Sequence, residues 1–289
     1  MRRVFSMILL GFGLLSASSS WAGLRIYSTP LADADWQLQG TALICRLTHE
    51  IAGYGVAEFR QQSDGRLVFQ VQVEQPASAT AGEARLLSLP ASWQHYEEGR
   101  DLGDLPVVPG KIPFYLGESG ARRVMAELEV GLFPTLIYKD WVEPQDVVRV
   151  RLSPLGFSTV VDEFRACVEG LLPYTYEDVR KTVLLYKTNQ TRPSRDQRDQ
   201  LDQLVRYLRQ DGEVEQVRIE GYTDSLGLSR INLVVANQRV DAVQAYLVEQ
   251  GVDAGLITTR AYEETEAKFD NRTEAGRRKN RRVEIILSR

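Results

Sequence analysis

A chain of 289 residues has room for two domains, and 43% apolar with 26% charged residues is an ordinary globular composition. Its formal net charge of −4 becomes −6 without Arg2 and Arg3, which argues against a nucleic-acid partner, because such binding usually demands a basic domain. Two cysteines and two histidines without clustered ligand spacing give no basis for a metal centre or a cofactor, and a non-enzymatic protein is expected.

Arg2 and Arg3, the apolar run 7–15 and the small-residue stretch ending in Ser20-Trp21-Ala22 read as a secretory signal cut after Ala22. The apolar run is too short to span a bilayer, which takes about 20 residues. No Cys lies near the cut to be acylated, and no later segment is apolar enough for a spanning helix. The expectation is a periplasmic chain with no transmembrane span after processing. In that oxidising compartment an even cysteine count favours a Cys45–Cys167 bridge over two buried thiols. Such a bridge implies that residues 45–167 lie in one domain, and the first domain is expected over 23–172.

That region reads as strand-rich. Segments 57–60 and 67–73 flank Ser63-Asp64-Gly65-Arg66, a strong hairpin signal, and Leu67, Phe69, Val71 and Val73 share one face. Residues 103–113, rich in Gly and Pro, read as a loop, and 148–152 alternate again. Two helices interrupt the strands. One covers 119–130, with Ala121, Val124, Met125 and Leu128 inward and Gly131 as its stop. The other follows Thr159, which forms a capping pair with Asp162, and carries Val160, Phe164, Cys167 and Val168 on one face.

Residues 173–180 read as a linker to a second domain over 181–289. There the order is strand 183–186, a helix from the Ser194/Gln197 capping box, strand 217–220, a helix over 232–250 with Gly251 after it, strand 257–262, a polar basic segment, and strand 283–287. The fold class is therefore α+β: a β-rich first domain with two helices, then a β/α/β/α/β domain with helices on one face of a small mixed sheet.

The motif Gly221-Tyr222-Thr223-Asp224-Ser225-Leu226-Gly227, then Asn232 and Arg239, and finally Asn271-Arg272-Thr273 through Gly276-Arg277 to Asn280-Arg281-Arg282-Val283-Glu284-Ile285 resembles the OmpA-like peptidoglycan-binding family. The resemblance implies a pocket for the diaminopimelate of peptidoglycan stem peptides. Asp224 would accept from its ammonium, and Arg239 would fork onto its carboxylate. Asn232, Asn280 and Arg281 would line or brace the pocket. Each residue also has a plain reading. Asp224 and Gly227 suit a type I turn, and Arg239 could be a solvated helix residue or the ion-pair partner of Asp224. The cluster Arg277, Arg278, Lys279, Arg281 and Arg282 reads as a solvated face or as an attraction to the anionic wall. The chain departs from the family pattern at Tyr222, where His is usual, at Val235-Ala236, and at Ala261-Tyr262-Glu263.

In the first domain, Cys45-Arg46-Leu47-Thr48-His49-Glu50-Ile51, Tyr54-Gly55-Val56-Ala57-Glu58-Phe59, Leu128-Glu129-Val130-Gly131 with Pro134-Thr135, Asp140-Trp141, and Cys167 with Leu171-Leu172-Pro173-Tyr174 resemble a family of periplasmic proteins of the sodium-type polar flagellar motor. That resemblance implies a structural part of the T ring around the basal body, with a MotX-like partner, anchoring ring and stator complex to peptidoglycan. The alternative is a non-flagellar envelope scaffold that tethers another complex to the wall. A wall hydrolase and an outer-membrane barrel fit less well. His49 beside Glu50 reads as structural, and the strands are few and interrupted by helices.

Overall fold

The computed structural model describes residues 23–289 except 79–81, 92, 94–97 and 263–266. The expected signal segment and His95 lie outside the described residues. In chain order the first half contains β1 (Leu24–Ser28), β2 (Gln37–Gly40), β3 (Ile44–Ile51), β4 (Gly55–Gln62), β5 (Leu67–Val73), β6 (Glu83–Leu89), β7 (Arg100–Pro106), β8 (Phe114–Leu116), α1 (Glu118–Glu129), β9 (Phe133–Lys139), β10 (Val147–Arg151) and α2 (Phe157–Glu169). Two five-stranded sheets result, ordered β2-β3-β4-β5-β8 and β1-β10-β9-β6-β7.

Alternation builds this half. Cys45, Leu47, His49 and Ile51 of β3 point inward, as do Ala57 and Phe59 of β4 and Leu67, Phe69, Val71 and Val73 of β5. They share one core with Leu86, Leu136, Tyr138, Val148 and Val150 of the other sheet. The β4–β5 turn is the expected hairpin, with Gly65 at φ +84° and the Arg66 amide donating to Asp64 Oδ1 at 3.1 Å. Trp36 is 2% exposed, donates to the Ser153 carbonyl at 2.8 Å and stacks on His49. His49 is held as a core residue, its pKa lowered by burial. A Cys45–Cys167 disulfide joins β3 to α2.

Helix α1 buries the four residues that its spacing predicts. Three local expectations need correction. Helix α2 begins two residues before Thr159, because Phe157, Val161 and Phe164 supply the buried face and left-handed Gly156 turns the chain into it. Thr159 lies inside the helix, where its hydroxyl donates to the Gly156 carbonyl instead of capping with Asp162. Residues 103–106, expected in a loop, belong to β7. The strand absorbs its glycine through a register shift opposite Leu86/Leu87, with Gly103 at φ +100°. The linker 173–180 contains a helical turn, α3 (Tyr176–Val179), capped by Thr175 and Asp178 through a capping box.

The second half holds β11 (Lys181–Leu185), α4 (Arg195–Leu208), β12 (Gln216–Tyr222), α5 (Ser229–Glu249), β13 (Ile257–Ala261), α6 (Glu274–Asn280) and β14 (Arg282–Ser288). The sheet order is β11-β14-β12-β13, with β12–β13 parallel and the other pairs antiparallel. The α+β class holds, and α6 is an addition within the polar basic segment. The Ser194/Gln197 capping box opens α4 as expected. Leu201, Leu204 and Val205 of α4 and Val240, Val243 and Leu247 of α5 pack with Val217, Ile219, Val283, Ile285 and Leu287 in one core. Both helices therefore cover the same face. Gly221 allows β12 and α5 to approach closely, since a Cβ there would lie 2.5 Å from Val240 Cγ2 and 2.8 Å from the Ala236 carbonyl oxygen. The connector reaches the sheet at its Lys181/Ile286 end, where the Tyr176 hydroxyl donates to the Leu287 carbonyl.

Candidate functional site

The residues singled out in the second domain gather at the opposite end of that sheet, where β11 and β12 finish and β14 begins. Asp224 follows β12 by two residues and is 6% exposed. Its Oδ1 accepts from the Leu226 amide at 3.2 Å, an Asx-type turn that Gly227 completes at φ +99°. Its Oδ2 accepts from Arg281 Nη1 at 2.6 Å, so the ion-pair partner is Arg281, at the start of β14, rather than Arg239. Arg281 also donates from Nη2 to Glu274 at 3.1 Å and from Nε to the Tyr186 carbonyl at 3.3 Å. Burial works to lower its pKa, but the bonds to Asp224 and Glu274 outweigh it and hold the group above its usual value. The same Arg281 bond pulls the Glu274 carboxyl below its usual range.

Arg239, on α5, is 1% exposed. Its Nε donates to the Gln190 carbonyl at 2.9 Å, Nη1 to the Tyr222 carbonyl at 3.1 Å and Nη2 to the Lys187 carbonyl at 3.4 Å. The guanidinium lies 4.9 Å from the Tyr186 ring centre. Burial pushes its pKa down to about 10, against the pull of Tyr186 and Asp224, so it stays charged at neutral pH. Arg239 is thus a buried cation that ties three carbonyls together behind Asp224, not a solvated helix residue.

The asparagines brace this end of the sheet. Asn232 Nδ2 donates to the Asp224 carbonyl at 3.2 Å. Asn280 donates to Asn271 Oδ1 and the Phe269 carbonyl, both at 2.8 Å, and accepts from the Phe269 amide. Asn271 Oδ1 in turn receives the Ser225 amide at 3.4 Å, which links the Asp224 loop to the α6 segment. Thr223 Oγ1 and Tyr186 Oη are buried without a hydrogen-bond partner among the described residues. The expected basic face is divided: Arg281 and Arg282 are buried, Arg277 pairs with Glu274, and Arg278 and Lys279 are exposed.

Tyr222, at the position where His was expected, opens a second cluster on the sheet face that the helices leave uncovered. It stacks on Tyr262 at 4.9 Å, donates to Glu220 at 2.8 Å and carries the Arg282 guanidinium 3.8 Å over its ring. Arg282 donates to Glu284 at 2.6 Å, and Lys181 and Lys268 reach the same carboxylate at 3.0 and 2.9 Å. Burial would raise the Glu284 carboxyl, but these three cations hold it down at about 2.

Residues 27–173 match the family described as "MotY N-terminal domain". The chain belongs to that family. Residues 185–281 of this MotY-family chain match the OmpA family. Along its length it is 29% identical over 280 residues to "Sodium-type flagellar protein MotY" of Vibrio parahaemolyticus serotype O3:K6, covering 96% of this chain and 94% of that one. "Probable lipoprotein YiaD" of Escherichia coli K12 is 43% identical over 72 residues, 25% of this chain and 33% of that protein. Among solved structures, the peptidoglycan-associated lipoprotein of Burkholderia pseudomallei aligns over 37% of this chain and 89% of its own, at 22% identity and a TM-score of 0.35.

Tyr186, Glu274 and the carbonyls of Lys187 and Gln190 belong to the site and were not anticipated. Glu274 stood three residues before Arg277 inside the quoted motif and could have been found there. The carbonyls carry no side-chain signal.

Proposed function

We propose that this protein is a non-enzymatic periplasmic component of the flagellar motor that ties a basal-body ring to peptidoglycan. The observation that carries the reading is the order of two family matches in one chain, MotY N-terminal domain then OmpA family. In this reading residues 23–172 join the T ring beside a MotX-like partner, 173–180 connect, and 181–289 hold the wall and give the stators a fixed point. Many copies in a ring would bind through avidity, each further contact being effectively intramolecular.

The wall contact centres on Asp224. An ionised carboxylate offers about four lone-pair sites, and two are engaged here, by Leu226 and Arg281. The others are available to the ammonium of diaminopimelate. Arg281 and Arg239 supply the positive field for its carboxylate, and Asn232 and Asn280 hold the loops on either side.

The test is a deletion strain tracked while swimming and complemented with wild type or Asp224→Asn, with the purified variant checked for folding and for co-sedimentation with isolated sacculi. The deletion is expected to build flagella and swim poorly. Asp224→Asn is expected to fold, to stay in the supernatant and to restore little swimming. Normal swimming of the deletion strain would sink the motor role and favour the general envelope scaffold. Full rescue by a variant that still sediments would sink the wall-contact assignment.

A further inference from the structure

The first described residue sits in an unusual place. The Gly23 nitrogen donates to Asp146 Oδ1 at 2.7 Å, and the Val147 amide returns a bond to the Gly23 carbonyl at 2.9 Å. From there β1 runs parallel to β10 as the edge strand, starting at Leu24 opposite Val147. A Cβ on residue 23 would lie 2.9 Å from the Asp146 carboxyl carbon and both its oxygens, so glycine lets the carboxylate sit this close without moving.

The carboxylate belongs to a group short of positive charge. Asp140, Glu143 and Asp146 converge on Arg25, at 3.2, 2.7 and 3.3 Å. Asp140 and Asp146 are 8% and 7% exposed. Among the described residues, Arg25 is the one cation within ion-pair distance of all three carboxylates. Buried carboxylates are costly unless opposite charge answers them.

We propose that cleavage after Ala22 turns the Gly23 nitrogen into an α-ammonium that ion-pairs with Asp146, so that the processed N-terminus is the second cation of this cluster and clamps β1 to the sheet. A signal peptidase supplies the chemistry. Water adds to the Ala22 carbonyl carbon as the C–N bond breaks. The released segment keeps the water oxygen and leaves as a carboxylate, and the Gly23 nitrogen takes up both protons of the water to become an ammonium. The amide N–H donor becomes a charged one, and charge-assisted bonds are roughly twice as strong.

The consequence is a pH dependence on the alkaline side. Pairing raises the ammonium above its ordinary value of about 8. Its stabilisation is complete below that value and is lost as pH rises through the raised one. The groups that face it are Asp146, Asp140, Glu143 and Arg25, with Tyr27, Tyr54 and Tyr138 beyond. Tyr54 and Tyr138 are pushed up by burial and stay neutral. Tyr27 is common to every chain compared.

The test begins with N-terminal sequencing of the full chain purified from the periplasm. Urea unfolding at pH 7 and pH 10 then compares it with the same chain bearing Ser-Ala ahead of Gly23 and with Asp146→Asn. A rise of one unit in the amine pKa predicts about a tenfold fall in the folding constant of the processed chain, relative to the extended one, across this window. Asp146→Asn should follow the extended chain. The pKa of the Gly23 amine, from its labelling rate against pH, needs no variant and should be raised. Identical pH profiles, an amine pKa at or below the ordinary value, or a start other than Gly23 would each overturn the proposal.

Discussion

A carboxylate buried as deeply as Asp224 must have its charge answered, and Arg281, between α6 and β14, answers it at 2.6 Å. Removing the carboxylate leaves Arg281 in a buried position with only the more exposed Glu274 as counter-ion. Asp224→Ala should therefore lower stability by about 3 kcal/mol in urea unfolding, and Asp224→Asn by clearly less. Glu284 predicts a pH effect. Its folded pKa of about 2 lies below the ordinary Glu value. The stability it contributes is complete above the ordinary value and is lost as pH falls toward 2. Urea unfolding from pH 5 to pH 2.5 should record a fall in wild type that is reduced in Glu284→Gln. At this scale the ordered motif made the acidic residue, its turn glycine and the two arginines legible. It did not reveal which arginine meets Asp224, because Arg239 bonds to main-chain oxygens, those of Gln190 and Lys187 lying 49 and 52 residues away in the chain and that of Tyr222 17 away. Any residue type provides a carbonyl, so that partnership leaves no trace in composition or spacing.

Elements were most readable where a long apolar period met a strong cap. The Ser194 start of α4 falls where pattern and cap agree, the hairpin falls at its Asp64-Gly65 turn signal, and helix α1, which has no side-chain N-cap, is marked by its apolar spacing alone. Helix α2 shows the reverse: Thr159 and Asp162 form a plausible capping pair, yet Phe157 gains more by burial in the core, and the helix extends back to reach it. Tertiary packing outweighs a local cap whose loss costs about 1 kcal/mol. Strand β7 was hidden because a bulge with a left-handed glycine breaks the alternation that marks a strand. A strand–helix contact gives a sharper prediction. Gly221→Ala places a methyl group against Val240 and the Ala236 carbonyl, so β12 and α5 must separate. The expected cost is about 1–3 kcal/mol, measured by thermal unfolding, and Val240→Ala should relieve it only in part, because the Ala236 carbonyl oxygen stays 2.8 Å from the new methyl position.

At the scale of the whole molecule, the described residues form two cores, one spanning both N-terminal sheets and one between the C-terminal sheet and its helices. The Cys45–Cys167 bridge closes 122 residues entirely within the first. Loop-closure entropy assigns such a bridge about 5 kcal/mol. Reduction, or Cys167→Ser, should lower the unfolding transition of the first domain in calorimetry and leave that of the second in place. The bridge was legible from cysteine count and compartment, since only one pairing exists for two cysteines. The two cores lie on either side of the change in periodicity, and the α3 turn between them went unread, being a single turn with a weak apolar pattern.

The connector enters the C-terminal sheet at the Lys181/Ile286 end, and Asp224 and Arg281 lie beyond the Leu185/Arg282 end. A pull between the first domain and a ligand held at Asp224 would travel lengthwise along β11 and β14. Antiparallel strands drawn past one another in this way load their five paired positions together, like a lap joint in shear, instead of opening them singly like a zipper. If the wall is held at Asp224 as proposed, tension between the connector and that loop meets the sheet along its stiffest direction.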